Sequence, residues 1–188
     1  MNENHIKYVI EALLFSYDKP LTAEQVEKLY PDLSHAKISE IFRQLQSEYQ
    51  GDGRGIRIVE VAGGFQMVTA PDFSAFLKKF YNVQRKEKLS RATLESLAII
   101  AYKQPVTKLQ VQSIRGVDVD GIINNLKELG LVRITGRRKA PGRPFLYGTT
   151  RQFLEYFGLK SLGDLPKIEE FPKMEESDGV EKVTQENR

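Results

Sequence analysis

The chain has no cysteine, and among its 188 residues there are two histidines, His5 and His35. Without thiols there are no disulfides, no thiolate zinc sites and no cysteine nucleophile, as expected in a reducing compartment. Long apolar runs are also missing: nothing approaches the roughly 20 residues that cross a bilayer. The start, MNENHIKYVIEALLF, is acidic and amphipathic rather than cationic like a secretory signal. These features predict a cytoplasmic protein with no membrane segment.

Groups placed for catalysis are equally scarce. His5 falls in the first turn of an amphipathic helix and His35 beside a helix cap, and no third group pairs with either in a nucleophile-base pattern. The glycine cluster GDGRGI (Gly51 to Ile56) follows a helix and precedes a strand, the reverse of a phosphate loop, and lacks the Gly-Lys-Ser/Thr ending. It reads as a helix stop and a turn. Carboxylates are scattered over helix faces, with Asp118 and Asp120 near a helix start, where they favour the macrodipole. The expectation is no catalytic residue, no metal and no cofactor.

What the chain does have is apolar content enough for a real core, 40% of residues, at a length that suits two small domains. Its net charge of +3 hides a gradient: residues 161–188 hold eight acids against four bases, a balance of −4, leaving +7 on the rest. From Lys167 onward the composition is polar and poor in large apolar side chains. It cannot recover the entropy lost on ordering its backbone, so residues 161–188 are predicted to be an acidic, disordered tail.

The folded part repeats. EALLFSYDKPLTAEQV (Glu11 to Val26) is echoed by LESLAIIAYKQPVTKLQV (Leu94 to Val111), with Pro20, Thr22 and Val26 returning 85 residues later as Pro105, Thr107 and Val111. In each copy an apolar helix ends in a turn, and threonine caps a second helix. A third helix follows, marked by Ile38, Ile41, Phe42, Leu45 and Tyr49 in one half and by Val119, Ile122, Ile123, Leu126 and Leu129 in the other. Ser34 and Asp118 are its expected N-caps, and Gly130 its left-handed terminus. Each half then turns extended: GIRIVEVAGGFQMVT around a Gly63-Gly64 turn, and LVRIT with FLYGT around a cationic loop. One more helix ends each half, carrying Phe73, Phe76, Leu77 and Phe80 or Phe153, Leu154 and Phe157. The predicted fold is mainly α with small β-hairpins: tandem winged-helix domains over residues 1–81 and 90–160, joined by a linker at 82–89.

A winged helix often lays its third helix in the major groove of DNA and its wing on phosphates. The polar positions of the second half's third helix, Asp120, Asn124, Asn125, Lys127 and Glu128, carry a net −1, and those of the first half balance. That argues against sequence reading. The wing differs: residues 133–143 hold five cations and no acid. For Arg137, Arg138 and Lys139 solvation and weak phosphate contact both remain open. Arg143, between Gly142 and Pro144, reads as a structural or partner contact. Helix LESLAIIAYKQ is apolar nearly all round and needs cover on most sides. Phe73, Phe76, Phe80 and Tyr81 read singly as core, yet form a stripe surplus to a three-helix core, the mark of an interface.

The run from Ser90 to Pro166, with LAIIAYKQPVT, then IRGV, then PGRPFLYGTT, closely resembles the segregation and condensation protein B family, the winged-helix accessory subunit of bacterial condensin. The first half resembles it more diffusely through EALLF and GGFQMVT. Lys108 and Gln112 depart from the arginine and glutamate usual in the family. The resemblance implies a non-enzymatic subunit that dimerises through the first half and binds the kleisin through the second, and through it the condensin ATPase. It implies chromosome condensation and segregation in the cytoplasm, at the nucleoid, with DNA contact at most weak and non-specific. Tyr147, in the strand that the PGRP turn leads into, is read with Arg143 as a structural or partner contact. The rival reading from composition is a winged-helix transcriptional regulator. Elemental analysis of the purified protein is expected to give zinc well below one equivalent per chain; a stoichiometric amount contradicts the reading of the histidines.

Overall fold

The structure is a computed structural model that describes residues 3–51, 53–81 and 89–167. The expected linker, apart from Leu89, and the sequence from Ile168 onward lie outside the described residues.

In the first half, α1 (Glu3–Ser16), α2 (Ala23–Glu27) and α3 (His35–Tyr49) pack with the hairpin of β1 (Ile56–Val61) and β2 (Gly64–Thr69). Helical spacing puts Ile6, Ile10 and Leu14 of α1 on one face, where they meet Ile38, Ile41, Phe42 and Leu45 of α3 in a buried core. The hairpin closes this core with Phe65, whose ring stacks on Phe42 at 4.7 Å. In the second half, α5 (Arg91–Lys103), α6 (Lys108–Arg115) and α7 (Asp120–Glu128) pack with a three-stranded antiparallel sheet ordered β3 (Val106–Thr107), β5 (Phe145–Thr149), β4 (Val132–Arg137). Its core joins Leu97, Ile100, Val111, Ile123 and Leu126 to Tyr147 and Phe153, and Leu89 packs against it. Each core draws on one half alone, and Leu89, expected in the linker, belongs with the second.

The repeat is physical as well as textual. Thr22 and Thr107 both open their helices with glutamine three residues on: Gln25 Oε1 accepts from the Thr22 amide at 2.9 Å, and Gln110 Oε1 from the Thr107 amide at 3.0 Å. Each satisfies an amide at a helix start that has no intrahelical partner. Ser34 caps α3 as expected, through the Lys37 amide. Asp118 does not cap α7. Val119 holds that position, fully buried, and Asp120 in the first turn is tied to Lys108 at 2.8 Å. The apolar anchor at Val119 fixes where the helix starts and leaves Asp118 a residue too early.

The first turn also differs from expectation. Ala62 and Gly63 occupy it, at φ 50° and 70°, and Gly64 is the first residue of β2. A Cβ on Gly64 would stand 2.7 Å from the Leu21 carbonyl oxygen, so only glycine lets the strand approach so closely. The Ala62 amide donates to Leu159 O at 2.8 Å and Gly63 to Lys160 O at 3.0 Å, which join the halves. Lys160 adds an ion pair to Glu60 at 2.9 Å, and Arg151 donates to Pro20 O at 3.0 Å.

After the hairpins come α4 (Ser74–Phe80), entered through a 3-10 turn at Pro71–Phe73, and α8 (Arg151–Phe157). Residues 161–167, expected to begin the disordered tail, are instead structured: a 3-10 turn spans Leu162–Asp164, closed by Asp164 Oδ2 accepting from the Ser161 amide at 2.8 Å. Leu165 packs against the second core, and Tyr102 donates to Pro166 O. The composition average hid two leucines, one of which has a place to bury.

Gln104 ties α5 to the sheet. Its Oε1 accepts from the buried Thr149 amide at 2.8 Å, and its Nε2 donates to Ala101 O and Thr149 Oγ1. Gln104→Ala strands that amide, and urea denaturation is expected to show a loss of about 1–3 kcal/mol at unchanged slope.

Candidate protein-binding surfaces

The two terminal helices behave differently. In α8, Phe153 is buried and its ring lies 4.9 Å from that of Phe157. In α4 no residue is buried: Phe76 is 72% and Phe80 80% exposed, flanked by Phe73 at 40% and Tyr81 at 68%. The core reading of these four is therefore corrected. The first core is filled by α1, α3 and the hairpin, without them. A helix of seven residues gains too little from its own hydrogen bonds to be stable in water, so α4 depends on cover for its aromatic face. Arg57 holds the turn before it through Asp72 at 3.3 Å, and of its own apolar side chains Leu77 is half-buried.

A second apolar surface, not singled out in the sequence, lies on α1, where Tyr8 is 63% and Phe15 80% exposed. They flank a shallow depression of about 290 Å³ with Tyr49, Ile56 and Met67 on its walls. Their signal was available: Tyr8 and Phe15 lie seven residues apart, off the Ile6, Ile10 and Leu14 face.

The third surface is a groove of about 350 Å³ between α5 and α8, walled by Leu94, Ala98 and Tyr102, by Phe153 and Phe157, and by Leu165. Here the all-round apolar character of α5 finds its reason. One side is core, and the other is only partly roofed by the segment after α8. Beyond the groove, Glu95 receives Arg91 at 3.1 Å and Arg115 on its other side. The Arg115 hydrogen bond holds the Glu95 carboxyl below the usual carboxylate range. Arg115 is nearly buried, and its Nε finds no partner among the described residues.

The wing is built by β4, β5 and the loop between them. A register shift between Ile134 and Gly136 places an extra residue in β4, which bends a strand locally. Arg137, Arg138, Lys139 and Arg143 are all exposed. The Arg137 guanidinium lies over the Phe145 ring at 4.3 Å. Arg143 has φ 40°, its amide donates to Ala140 O at 2.9 Å, and its side chain makes no ion pair among the described residues. Tyr147 is buried in the second core, which makes it a packing residue. The histidines remain apart: His5 is exposed, and His35 lies 3.4 Å from Glu24 at the surface. Glu24 is held below the usual carboxylate range mainly by the backbone hydrogen bond at its helix start and by Thr22, with a smaller part from His35. Among the described residues no three of His, Cys, Asp or Glu gather as a metal site would require, and no helix is long and apolar enough to cross a membrane.

Two winged-helix halves that offer apolar helix faces, a groove and a cationic wing define a binding and scaffolding class of protein. The sequence model described as "Segregation and condensation complex subunit ScpB" matches residues 8–168, and the chain belongs to that family. A relative from Syntrophotalea carbinolica, "Segregation and condensation protein B", is 44% identical over 174 residues, covering 93% of this chain and 87% of its own. The solved ScpB structure from Mycobacterium tuberculosis is 32% identical, covers 85% of this chain and 98% of its own, and has a TM-score of 0.40. A dimer of an ScpB N-terminal domain complexed with an ScpA peptide is 29% identical, covers 41% of this chain and 95% of its own, with a TM-score of 0.38.

The left-handed backbone at Arg143 gives a direct test of its role. Such a conformation costs a residue with a Cβ about 1–2 kcal/mol, part of which glycine recovers. Arg143→Gly is expected to raise thermal or urea stability by up to about 1 kcal/mol, and Arg143→Ala to leave it within about 0.5 kcal/mol. A large loss in either would show that the side chain, and not the turn, carries the stability.

Proposed function

We propose that the chain is a non-enzymatic accessory subunit of the bacterial condensin complex, acting as a dimer that binds the kleisin and supports chromosome condensation and segregation at the nucleoid. Family membership supports the complex. The exposed aromatic face of α4 carries the dimer: a helix too short to persist alone, with Phe76 and Phe80 turned outward, is completed by a second copy. Residues 1–81 are assigned to dimerisation, with Phe73, Phe76, Phe80 and Tyr81 at the interface. Residues 90–160 are assigned to the kleisin, with the acidic segment after them left free of both roles.

The wing takes a subordinate part. Arg137, Arg138 and Lys139 make weak, sequence-blind phosphate contacts, for which three contacts predict a salt slope of about −2.7 at roughly −0.9 per contact. The alternative of a sequence-reading regulator lacks support from α7, whose polar positions carry no excess of cations.

Light scattering on the full chain and on Phe76→Ser with Phe80→Ser decides the dimer assignment. The wild type is expected to be dimeric at tens of micromolar and the double variant monomeric, losing helical circular dichroism equivalent to no more than the seven residues of α4. Co-purification from native cytoplasm is expected to bring the kleisin down with the wild type. A double variant that stays dimeric moves the interface elsewhere.

A further inference from the structure

Two apolar surfaces of the first half stay bare, and their shapes are complementary. One is convex. Along the 3-10 turn and α4, Phe73, Phe76 and Phe80 recur at helical spacing, all exposed. The Phe80 and Tyr81 rings lie edge to face at 5.1 Å and form an aromatic knob at the end of the helix. The other surface is concave. Tyr8, Ala12 and Phe15 share a face of α1, and the small side chain of Ala12 leaves a notch between two exposed rings. Ile56 and Met67 stand beside the notch, and Ile56 pairs with Thr69 at the open end of the hairpin, from which the chain runs on to α4.

Area and charge say what covers both. The exposed fractions of Phe73, Phe76, Phe80, Tyr81, Tyr8 and Phe15 add to about four whole side chains, roughly 800 Å² at about 200 Å² each. A stable interface takes about 800 Å² from each partner. The four aromatics around α4 supply about two-thirds of that, so α4 needs the α1 face as well. Lys79 flanks the aromatic face of α4, and Glu11 flanks the notch. Neither has an ion-pair partner among the described residues, and Glu11 accepts a hydrogen bond from the Tyr49 hydroxyl. A knob and a notch on one surface, with a two-fold axis between them, meet twice, because each copy receives what it gives.

We propose that the dimer is reciprocal: α4 of each protomer lies across the face of Tyr8, Ala12 and Phe15 on its partner, with Phe76 and Phe80 in the notch and Lys79 facing the partner's Glu11. The inference rests on the assignment of the dimer to the first half, and adds the surface that receives α4. The rings supply the affinity, and the rim charges set the register rather than the strength. Short as it is, α4 is held in place by the other copy.

Because the chain has no cysteine, Glu11→Cys and Lys79→Cys each introduce a single thiol into the full-length protein. When the two variants, one carrying a size tag, are mixed at tens of micromolar and mildly oxidised, a covalent heterodimer is expected. Neither variant alone is expected to crosslink. Tyr8→Ser with Phe15→Ser is expected to weaken the dimer at least about thirtyfold. It is also expected to free the amides of α4 to exchange, although no residue of α4 is changed, while those of α3 stay protected. Crosslinking of Lys79→Cys with itself puts α4 against its own copy, which overturns the proposal and leaves an α4 dimer standing. A chain with both cysteines that bridges only within itself puts α4 on its own notch and overturns it too, as does a Tyr8→Ser, Phe15→Ser chain that dimerises like wild type. A wild type that is monomeric at this concentration, or a Phe76→Ser, Phe80→Ser chain that stays dimeric, removes the underlying assignment as well.

Discussion

Both halves depend on one short backbone pairing. The segment between the first two helices meets the returning strand of the hairpin: Leu21 bridges Phe65 in the first half, with both hydrogen bonds at 2.8–2.9 Å, and Val106 pairs with Tyr147 in the second. Without that pairing the hairpin would be an isolated two-stranded ribbon, marginal in water. With it, each hairpin delivers an aromatic into the helical core, Phe65 onto Phe42 and Tyr147 beside Val106 and Val111. Gly64 and the Thr22 and Thr107 caps serve that one junction, since they set the approach of the strand and the start of the next helix.

Much of this was legible because it is periodic. Helical spacing identified the cores of α3 and α7, and the 85-residue echo identified a repeated unit. The misreadings share a cause: they depend on what a local pattern meets in space. Asp118 has the chemistry of a cap, yet burial of Val119 decides where α7 begins. Gly63-Gly64 looks like a turn, yet the Leu21 carbonyl needs the second glycine in the strand. Residues 161–167 look like tail by composition, and are ordered because Leu165 finds the second core.

The aromatics of α4 and α8 make the same point about sites. By sequence, Phe73, Phe76 and Phe80 resemble Phe153 and Phe157, and nothing in the spacing says which set is packed. The structure separates them, since α8 lies on a core that lacks its own lid and α4 follows a core already closed. Two helices of like sequence thus differ in cover, one packed and one facing water. The informative residues of the chain are apolar ones in water and cations without acids.

The turn at Ala62 and Gly63 couples the halves. An alanine at φ 50° is strained, and its amide is answered by a carbonyl from beyond α8. Two adjacent amides bonded to two adjacent carbonyls, with the Lys160–Glu60 ion pair beside them, fasten the hairpin tip of one half to the segment that leaves the other. The first wing is thereby occupied inside the molecule while the second ends in solvent, so two copies of one unit present different ends.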